Sequence, residues 1–125
     1  MSEKDTSLFR TIFNNVEDGV YFVDRERRIT MWNEAAAQIT GYTREEMIGR
    51  HCHDNLLNHV DKNGTYLCLM GCPLFHTMND GLERQDEVIV RHKNGHRLPI
   101  FVRTYPVYGG GVIIGALEIF TRKTQ

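Results

Sequence analysis

The chain has 125 residues, of which 41% are hydrophobic and 25% are charged, and its formal net charge is −1. This length fits one compact domain with a single core and is too short for two. The near-neutral charge argues against a nucleic-acid-binding protein, because such proteins usually carry a basic patch or stripe. The longest apolar run, residues 111–117, is too short to span a bilayer, and the N-terminal residues lack the apolar core of a secretion signal. We therefore expect a cytoplasmic domain that does not insert into a membrane.

The start of the chain predicts an amphipathic helix followed by a β-hairpin. Apolar residues recur at helical spacing, and Thr6 or Ser7 is the expected N-cap. These apolar residues are Leu8, Ile12, Phe13 and Val16. Residues 19–24 and 28–33 are rich in β-forming side chains and are separated by a charged turn, which predicts two paired strands.

Three short helices are predicted next. Asn33 is the expected N-cap of the first helix, and Gly41 is the residue expected to end it. Thr43 and Glu46 have the spacing of a capping box, which predicts a second helix immediately afterwards. Residues 72–81 predict a third helix, because they place a proline at its first turn and a glycine at its end.

The last third of the chain predicts three strands, at residues 86–92, 98–107 and 112–120. The sequence KNG at 93–95 is typical of a tight hairpin loop between the first two. Two prolines in the middle strand predict local edges or bulges there. The order of two strands, short helices and three strands predicts an α+β fold, in which an antiparallel sheet carries helices on one face.

Several short motifs, taken together, resemble those of the PAS sensory domain. They are DG at 18–19, VD at 23–24, WNEAA at 32–36, TGY at 40–42 and EMIG at 46–49. The later runs RHKNGHRLPIFVRTYPV and GALEIFTRK also resemble the strands that close a PAS domain. The resemblance covers nearly the whole chain, and it is to the PAS domains of bacterial histidine kinases and diguanylate cyclases.

This resemblance implies a five-stranded antiparallel sheet in the order 2-1-5-4-3 that cups short helices, with ligands held between the two. It implies an N-terminal helix at residues 1–17 and a PAS core at 18–122, whose segment 51–80 is longer than a minimal PAS domain needs. It also implies a sensory module without catalytic activity, which forms a homodimer and regulates a fused kinase or cyclic-dinucleotide enzyme. A ligand-free module that only pairs subunits is the alternative.

Residues 51–78 hold all three cysteines and four of the six histidines, so this segment is a candidate for signal detection. Thiolates and imidazoles bind zinc and iron–sulfur clusters. The candidate ligands are Cys52, Cys68, Cys72 and one histidine, His53 or alternatively His51, His59 or His76, although the cysteine spacing does not match the paired C-x-x-C pattern. The alternatives are a redox disulfide between Cys68 and Cys72, and reduced thiols that pack as small apolar side chains.

The resemblance suggests two further cofactors. Residues 49–52 (GRHC) are similar to a motif of light-oxygen-voltage domains, a PAS branch whose cysteine bonds to photoexcited flavin. The sequence HDN at 53–55 differs from the residues that follow the cysteine in that branch. Leu117 lies near the position where that branch carries a glutamine. Both differences argue against a flavin. Some PAS domains ligate haem through a histidine on the helix before the third strand, where His76 lies. A lone histidine there is more often an ordinary surface side chain, so haem ranks below a metal or cluster.

A small organic ligand in the PAS cavity is the remaining hypothesis. Its candidate contacts are the side chains expected to face inward from the helices and the sheet. They are Trp32, Ile39, Met47, Leu56, Leu74, Met78, Ile100, Val102 and Thr104. Core packing is the alternative role for most of them. The predicted dimer surface is the apolar side of the first helix, formed by Leu8, Phe9, Ile12 and Phe13.

Overall fold

Five strands form one antiparallel sheet in the order β2-β1-β5-β4-β3, which confirms the predicted order. The structure is a computed structural model, and it describes residues 2–51, 59–61, 63–64 and 72–123. The described strands are β1 (Gly19–Asp24), β2 (Ile29–Trp32), β3 (Arg84–Arg91), β4 (Arg97–Gly109) and β5 (Val112–Arg122). The described helices are α1 (Glu3–Phe13), α2 (Glu34–Thr40), α3 (Arg44–Met47) and α4 (Pro73–Asp80).

Local signals set the ends of α2 and α3 as predicted. The Asn33 side chain accepts a hydrogen bond from the Ala36 amide, and Gly41 ends α2 in the left-handed region, at φ 82°. Thr43 and Glu46 form the predicted capping box of α3. The Lys93 ammonium also binds both Glu46 carboxylate oxygens at 2.8 Å, which joins α3 to the β3–β4 loop. This bond, and then the Thr43 amide, lowers the pKa of Glu46 to about 2.

The N-cap of α1 differs from the prediction. Ser2, and not Thr6 or Ser7, caps this helix, and its side chain accepts a hydrogen bond from the Asp5 amide at 3.1 Å. The apolar pattern begins only at Leu8 and therefore does not mark the first turn. That turn is acidic, which suits the positive end of the helix dipole.

In the C-terminal half, β4 and β5 extend slightly beyond the predicted ranges, whereas β3 begins two residues earlier and ends one residue earlier than predicted. β4 pairs with β3 along one edge and with β5 along the other. The predicted irregularity appears next to Pro106, where the register shifts between Val107 and Tyr108. Pro99 lies near the start of β4, and its carbonyl accepts a hydrogen bond from Lys123, just past the end of β5. Both prolines therefore lie where the pairing is irregular or ends.

The core lies between one face of the sheet, hereafter the inner face, and the helices α2, α3 and α4. Its largest fully buried apolar side chains are Tyr21, Ile29, Trp32, Met47, Leu74 and Ile100. α1 differs from the other helices, because none of its residues is buried. A groove of about 650 Å³ lies between α1 and β2, lined by Phe9, Phe13 and Met31 among others. α1 is thus attached to the domain mainly at its C-terminal end.

Candidate ligand-binding site

A row of five side chains crosses the inner face from one edge of the sheet to the other. Residues that are directly opposite in neighbouring antiparallel strands lie on the same face, with Cβ atoms roughly 4.5–5.5 Å apart. The strand pairing places five such residues in line. This cross-sheet row consists of Trp32 on β2, Tyr21 on β1, Glu118 on β5, Thr104 on β4 and Arg84 on β3.

The middle of the cross-sheet row is polar and buried. Glu118 is 3% exposed and Thr104 is 0% exposed. Carboxylates are seldom buried to this extent unless they are paired, because removing their charge from water is unfavourable. Among the residues that the structure describes, Glu118 Oε1 and Thr104 Oγ1 have no hydrogen-bond partner. The inner face therefore offers two neighbouring polar groups that can bind something else.

His59 approaches this polar centre from the segment before α4. Its Nε2 lies 3.6 Å from Glu118 Oε1, and its side chain is only 11% exposed. The neighbouring Val60 holds the segment in place through two backbone hydrogen bonds with Ile89, at 2.9 and 2.8 Å, on the outer edge of β3. The separation of 3.6 Å is longer than an N–H···O hydrogen bond, so His59, when it is protonated, compensates the Glu118 charge only partly.

Arg84, at the edge of the cross-sheet row, directs its charge away from Glu118. Its guanidinium binds both carboxylate oxygens of Asp80 at the end of α4. The same guanidinium donates to Thr77 Oγ1 at 3.0 Å, and the Thr77 hydroxyl donates to the Leu82 carbonyl at 2.9 Å. Arg84 lowers the pKa of Asp80 and so keeps that carboxyl charged. This network fixes the end of α4 beside the sheet.

A second carboxylate lies on the same face. Asp86 is opposite the inward-facing Val102 in the register of β3 and β4. Partial burial raises the pKa of Asp86; Arg84 opposes this effect, and the negative charge of Glu118 adds to it. Two carboxylates, Glu118 and Asp86, thus lie on the inner face of the sheet near the middle of the cross-sheet row.

With this geometry established, comparison with known proteins identifies the family. A family model described as "PAS domain" matches residues 17–121. The chain belongs to the PAS domain family. In PAS terms, the cross-sheet row lies on the concave side of the sheet, beneath the helices.

Sensor kinases contain domains similar to this PAS domain. The chain is 27% identical over 116 residues to the sensor histidine kinase DcuS of Escherichia coli K12, covering 93% of this chain and 19% of DcuS. It is 32% identical over 114 residues to the signal transduction histidine-protein kinase AtoS of the same organism, covering 90% of this chain and 17% of AtoS. The chain thus spans less than a fifth of either kinase.

A solved structure supports the fold independently. The PAS domain of a protein from Colwellia psychrerythraea superimposes with a TM-score of 0.78 at 24% identity, covering 96% of this chain and 98% of that one. At this identity the similarity shows the fold alone. Among the described helices, none has the length and apolar character needed to cross a bilayer.

The structure brings most of the predicted pocket residues together. Seven of them are buried beneath the helices or on the inner face: Trp32, Ile39, Met47, Leu74, Met78, Ile100 and Val102. Thr104 joins them through the cross-sheet row. Leu56 lies outside the described residues. Burial alone is also what core packing would produce, so their contact with a ligand stays a prediction.

The proposed metal ligands are mostly outside the described part of the chain. Cys52, His53 and Cys68 are not described. Cys72 is buried at the N-cap of α4 and makes no side-chain capping hydrogen bond. Within residues 2–51, 59–61, 63–64 and 72–123, no three His, Cys, Asp or Glu side chains are grouped to hold a metal ion. The metal, cluster and disulfide hypotheses therefore remain predictions.

His76 and Leu117, which were considered for haem and flavin, do not face the cross-sheet row, and residues 52–55 lie outside the described part of the chain. His76 is exposed on α4, whereas its neighbours Thr77 and Met78 are buried. On β5 the inward-facing side chain is Glu118. Leu117, the residue compared with the glutamine of flavin-binding domains, immediately precedes it. Leu117 is half-buried and alternates to the other face.

The sequence interpretation missed Glu118, Tyr21 and Asp86 as site residues and considered His59 only as one possible metal ligand. A signal for Glu118 was present. In the sequence ALEIF the residues at alternate positions are Ala116, Glu118 and Phe120, so the period of two places a carboxylate on an otherwise apolar face. No comparable local signal marks Tyr21 or Asp86, because their proximity to Glu118 depends on strand register.

Proposed function

We propose that this PAS domain is the input module of a signal-transduction protein, binding a small ligand over the cross-sheet row and regulating a fused effector. The observation that carries the proposal is the buried pair Glu118 and Thr104, of which Oε1 and Oγ1 lack hydrogen-bond partners among the described residues. The similarity to DcuS and AtoS supports a histidine kinase as the effector class. A diguanylate cyclase is the alternative effector, and the domain itself is regulatory, without catalytic activity.

The proposed mechanism is a shift between two arrangements of α1 relative to the sheet. Trp32 ends the cross-sheet row, and the side chain of the next residue, Asn33, bonds to both β1 and α1. Its side chain accepts from the Val20 amide at 2.9 Å and donates to the Phe13 carbonyl, the last residue of α1, at 2.9 Å. A ligand that repositions Trp32 would therefore act on the end of α1 through Asn33, if it binds one arrangement better than the other.

A kinase chimera tests the sensory function. Residues 2–121, which include α1, would replace the matching segment of DcuS, and autophosphorylation would be measured. Because coupling between a sensor and its output is typically 1–3 kcal/mol, we expect Glu118→Gln to change the rate on the order of fivefold or more. Glu87→Gln, which alters an exposed carboxylate that pairs with Lys123, is the matched control and should leave the rate unchanged. Equal rates for all three chimeras would contradict the sensory proposal.

We propose in addition that α1 forms a homodimer contact. Its apolar side chains Leu8, Phe9 and Ile12 are exposed, and Phe9 stacks on Phe13 at 5.5 Å. An exposed apolar stripe of this kind often marks a protein–protein interface. A cytoplasmic location is likewise proposed, by analogy with the input modules of kinases.

If α1 forms the dimer contact, removing its apolar stripe should lower the mass of the assembly in solution. Full-length chain should sediment as a dimer, and both the chain lacking residues 1–16 and the Leu8→Ser/Ile12→Ser double variant should sediment as monomers. Thr11→Ser, a change on the same helix that keeps the hydroxyl bonded to the Ser7 carbonyl, should remain dimeric. If the full-length chain is monomeric at high concentration, the contact does not exist.

A further inference from the structure

The polar centre of the cross-sheet row restricts the chemistry of the ligand. Among the described residues, Glu118 Oε1 and the Thr104 hydroxyl have no hydrogen-bond partner, and each is able to accept a hydrogen bond. These two residues are direct register partners on β5 and β4. Their Cβ atoms are therefore roughly 5 Å apart, so that one nitrogen bearing several N–H groups can reach both.

The surrounding charges favour a cation. Glu118 and Asp86 are both acidic, and the Arg84 guanidinium is already bound to Asp80. His59 Nε2 lies 3.6 Å from Glu118 Oε1, which is beyond the distance of an N–H···O hydrogen bond. A ligand carboxylate placed at the centre of the row would meet like charge in a water-poor site, where such repulsion is large.

Aromatic rings adjoin the carboxylate on the β1 side. Tyr21 is the register partner of Glu118, and its ring lies 5.4 Å from that of Trp32. The faces of such rings attract cations, and this attraction strengthens when water is excluded. A carboxylate, a hydroxyl and two aromatic rings in one line are together suited to an alkylammonium or amidinium group.

We propose that the cross-sheet row binds a small organic cation, whose protonated amino or amidino group hydrogen-bonds Glu118 and Thr104 beside the rings of Tyr21 and Trp32. This inference rests on the proposed sensory function and specifies the ligand class for it. Glu118 is the specificity-determining residue, because its charge selects cations and excludes carboxylate ligands of similar length.

Two probes of the same carbon number test the ligand class: 1,4-diaminobutane, a dication, and succinate, a dianion. Trp32 is the only tryptophan and belongs to the row, so its fluorescence emission reports binding directly. We expect the diamine to change the emission and to raise the midpoint of thermal unfolding, and succinate to do neither. Because a charged hydrogen bond contributes roughly 1.5–3 kcal/mol, Glu118→Gln should weaken diamine binding about tenfold or more. Glu87→Gln should bind as the wild type does.

Thr104→Val is a second variant, in which valine has nearly the same shape as the threonine that it replaces. It should also weaken diamine binding, and without ligand it should be at least as stable as the wild type, because it removes a buried hydroxyl that has no partner among the described residues. The same expectation applies to unliganded Glu118→Gln, since it removes a buried charge that is only partly compensated.

Three results would overturn the inference. They are binding of succinate in preference to the diamine, diamine binding that is unchanged in Glu118→Gln, and the absence of any diamine effect on the wild type. A marked loss of stability in unliganded Glu118→Gln would also count against the inference, because the Glu118 carboxylate would then stabilise the fold through its contact with His59. The kinase chimera separates failure of this inference from failure of the sensory proposal. If Glu118→Gln changes the autophosphorylation of the chimera while the diamine does not bind, the domain is a sensor for another class of ligand.

Discussion

Replacing Trp32 with alanine is expected to lower the free energy of unfolding by about 3–5 kcal/mol, the usual range for a large aromatic residue in a core. Trp32 is 1% exposed, packs against Tyr21, and donates a hydrogen bond from Nε1 to the Tyr42 carbonyl at 3.0 Å. The substitution leaves a cavity at the end of the cross-sheet row and a carbonyl without its donor. Urea unfolding followed by circular dichroism measures the effect, because the variant has no tryptophan left to report by fluorescence.

Two further variants separate the causes of this loss. Trp32→Phe keeps most of the buried ring but cannot donate to Tyr42, so its loss should be smaller, about 1–3 kcal/mol. Phe101→Ala removes an exposed aromatic ring from the outer face of the sheet and should cost less than about 1 kcal/mol. If Trp32→Ala were no more destabilising than Phe101→Ala, the assignment of Trp32 to the core would be wrong.

Replacing Asn33 with alanine is expected to lower the free energy of unfolding by about 2–4 kcal/mol. Asn33 is 1% exposed. Its Oδ1 accepts from the amides of Val20 and Ala36, both at 2.9 Å, and its Nδ2 donates to the carbonyls of Phe13 and Asp18 at 2.9 and 3.1 Å. Loss of the α2 cap accounts for about 1 kcal/mol, and the buried Val20 amide left without a partner accounts for about 1–3 more.

Asn33→Asp is the matched variant, because it keeps the accepting oxygen but replaces the donating amide with a carboxylate oxygen that faces the carbonyls of Phe13 and Asp18. We expect it to retain the α2 cap and to release the end of α1 from the sheet. Hydrogen exchange followed residue by residue distinguishes the two variants: Asn33→Asp should accelerate exchange in residues 3–13 more than in 34–40, whereas Asn33→Ala should accelerate both. Equal acceleration in both helices for Asn33→Asp would show that Asn33 does not tether α1 through its amide.

The features that the sequence predicted well depend on neighbours along the chain. The Asn33 cap and the Thr43–Glu46 capping box join residues three positions apart, so their patterns can be read directly. The order of the strands was a different kind of prediction. It followed from the resemblance to PAS domains and not from local pattern, since any order of five amphipathic strands would show similar alternation.

The candidate site was predicted only in part, for a related reason. Thr104 and Trp32 were expected to face inward, but nothing in the local sequence relates either of them to Glu118. Their alignment exists only once β5 has paired with both β1 and β4 in one register. The approach of His59 likewise depends on the bridge between Val60 and the edge of β3. Position in the chain specifies which face a side chain occupies, but not which side chains meet there.

The central place of β5 also has a consequence for how the domain folds. The strand that is made last occupies the middle of the sheet and pairs with β1, which is made first. Closing so long a loop is entropically unfavourable and slows folding compared with local hairpins. During synthesis, the hairpin of β1 and β2 therefore leaves the ribosome with one edge of β1 unpaired. It must wait for Val112–Arg122, and during that interval the open edge of β1 is exposed to mispairing, as is the edge of β4 that β5 will also cover.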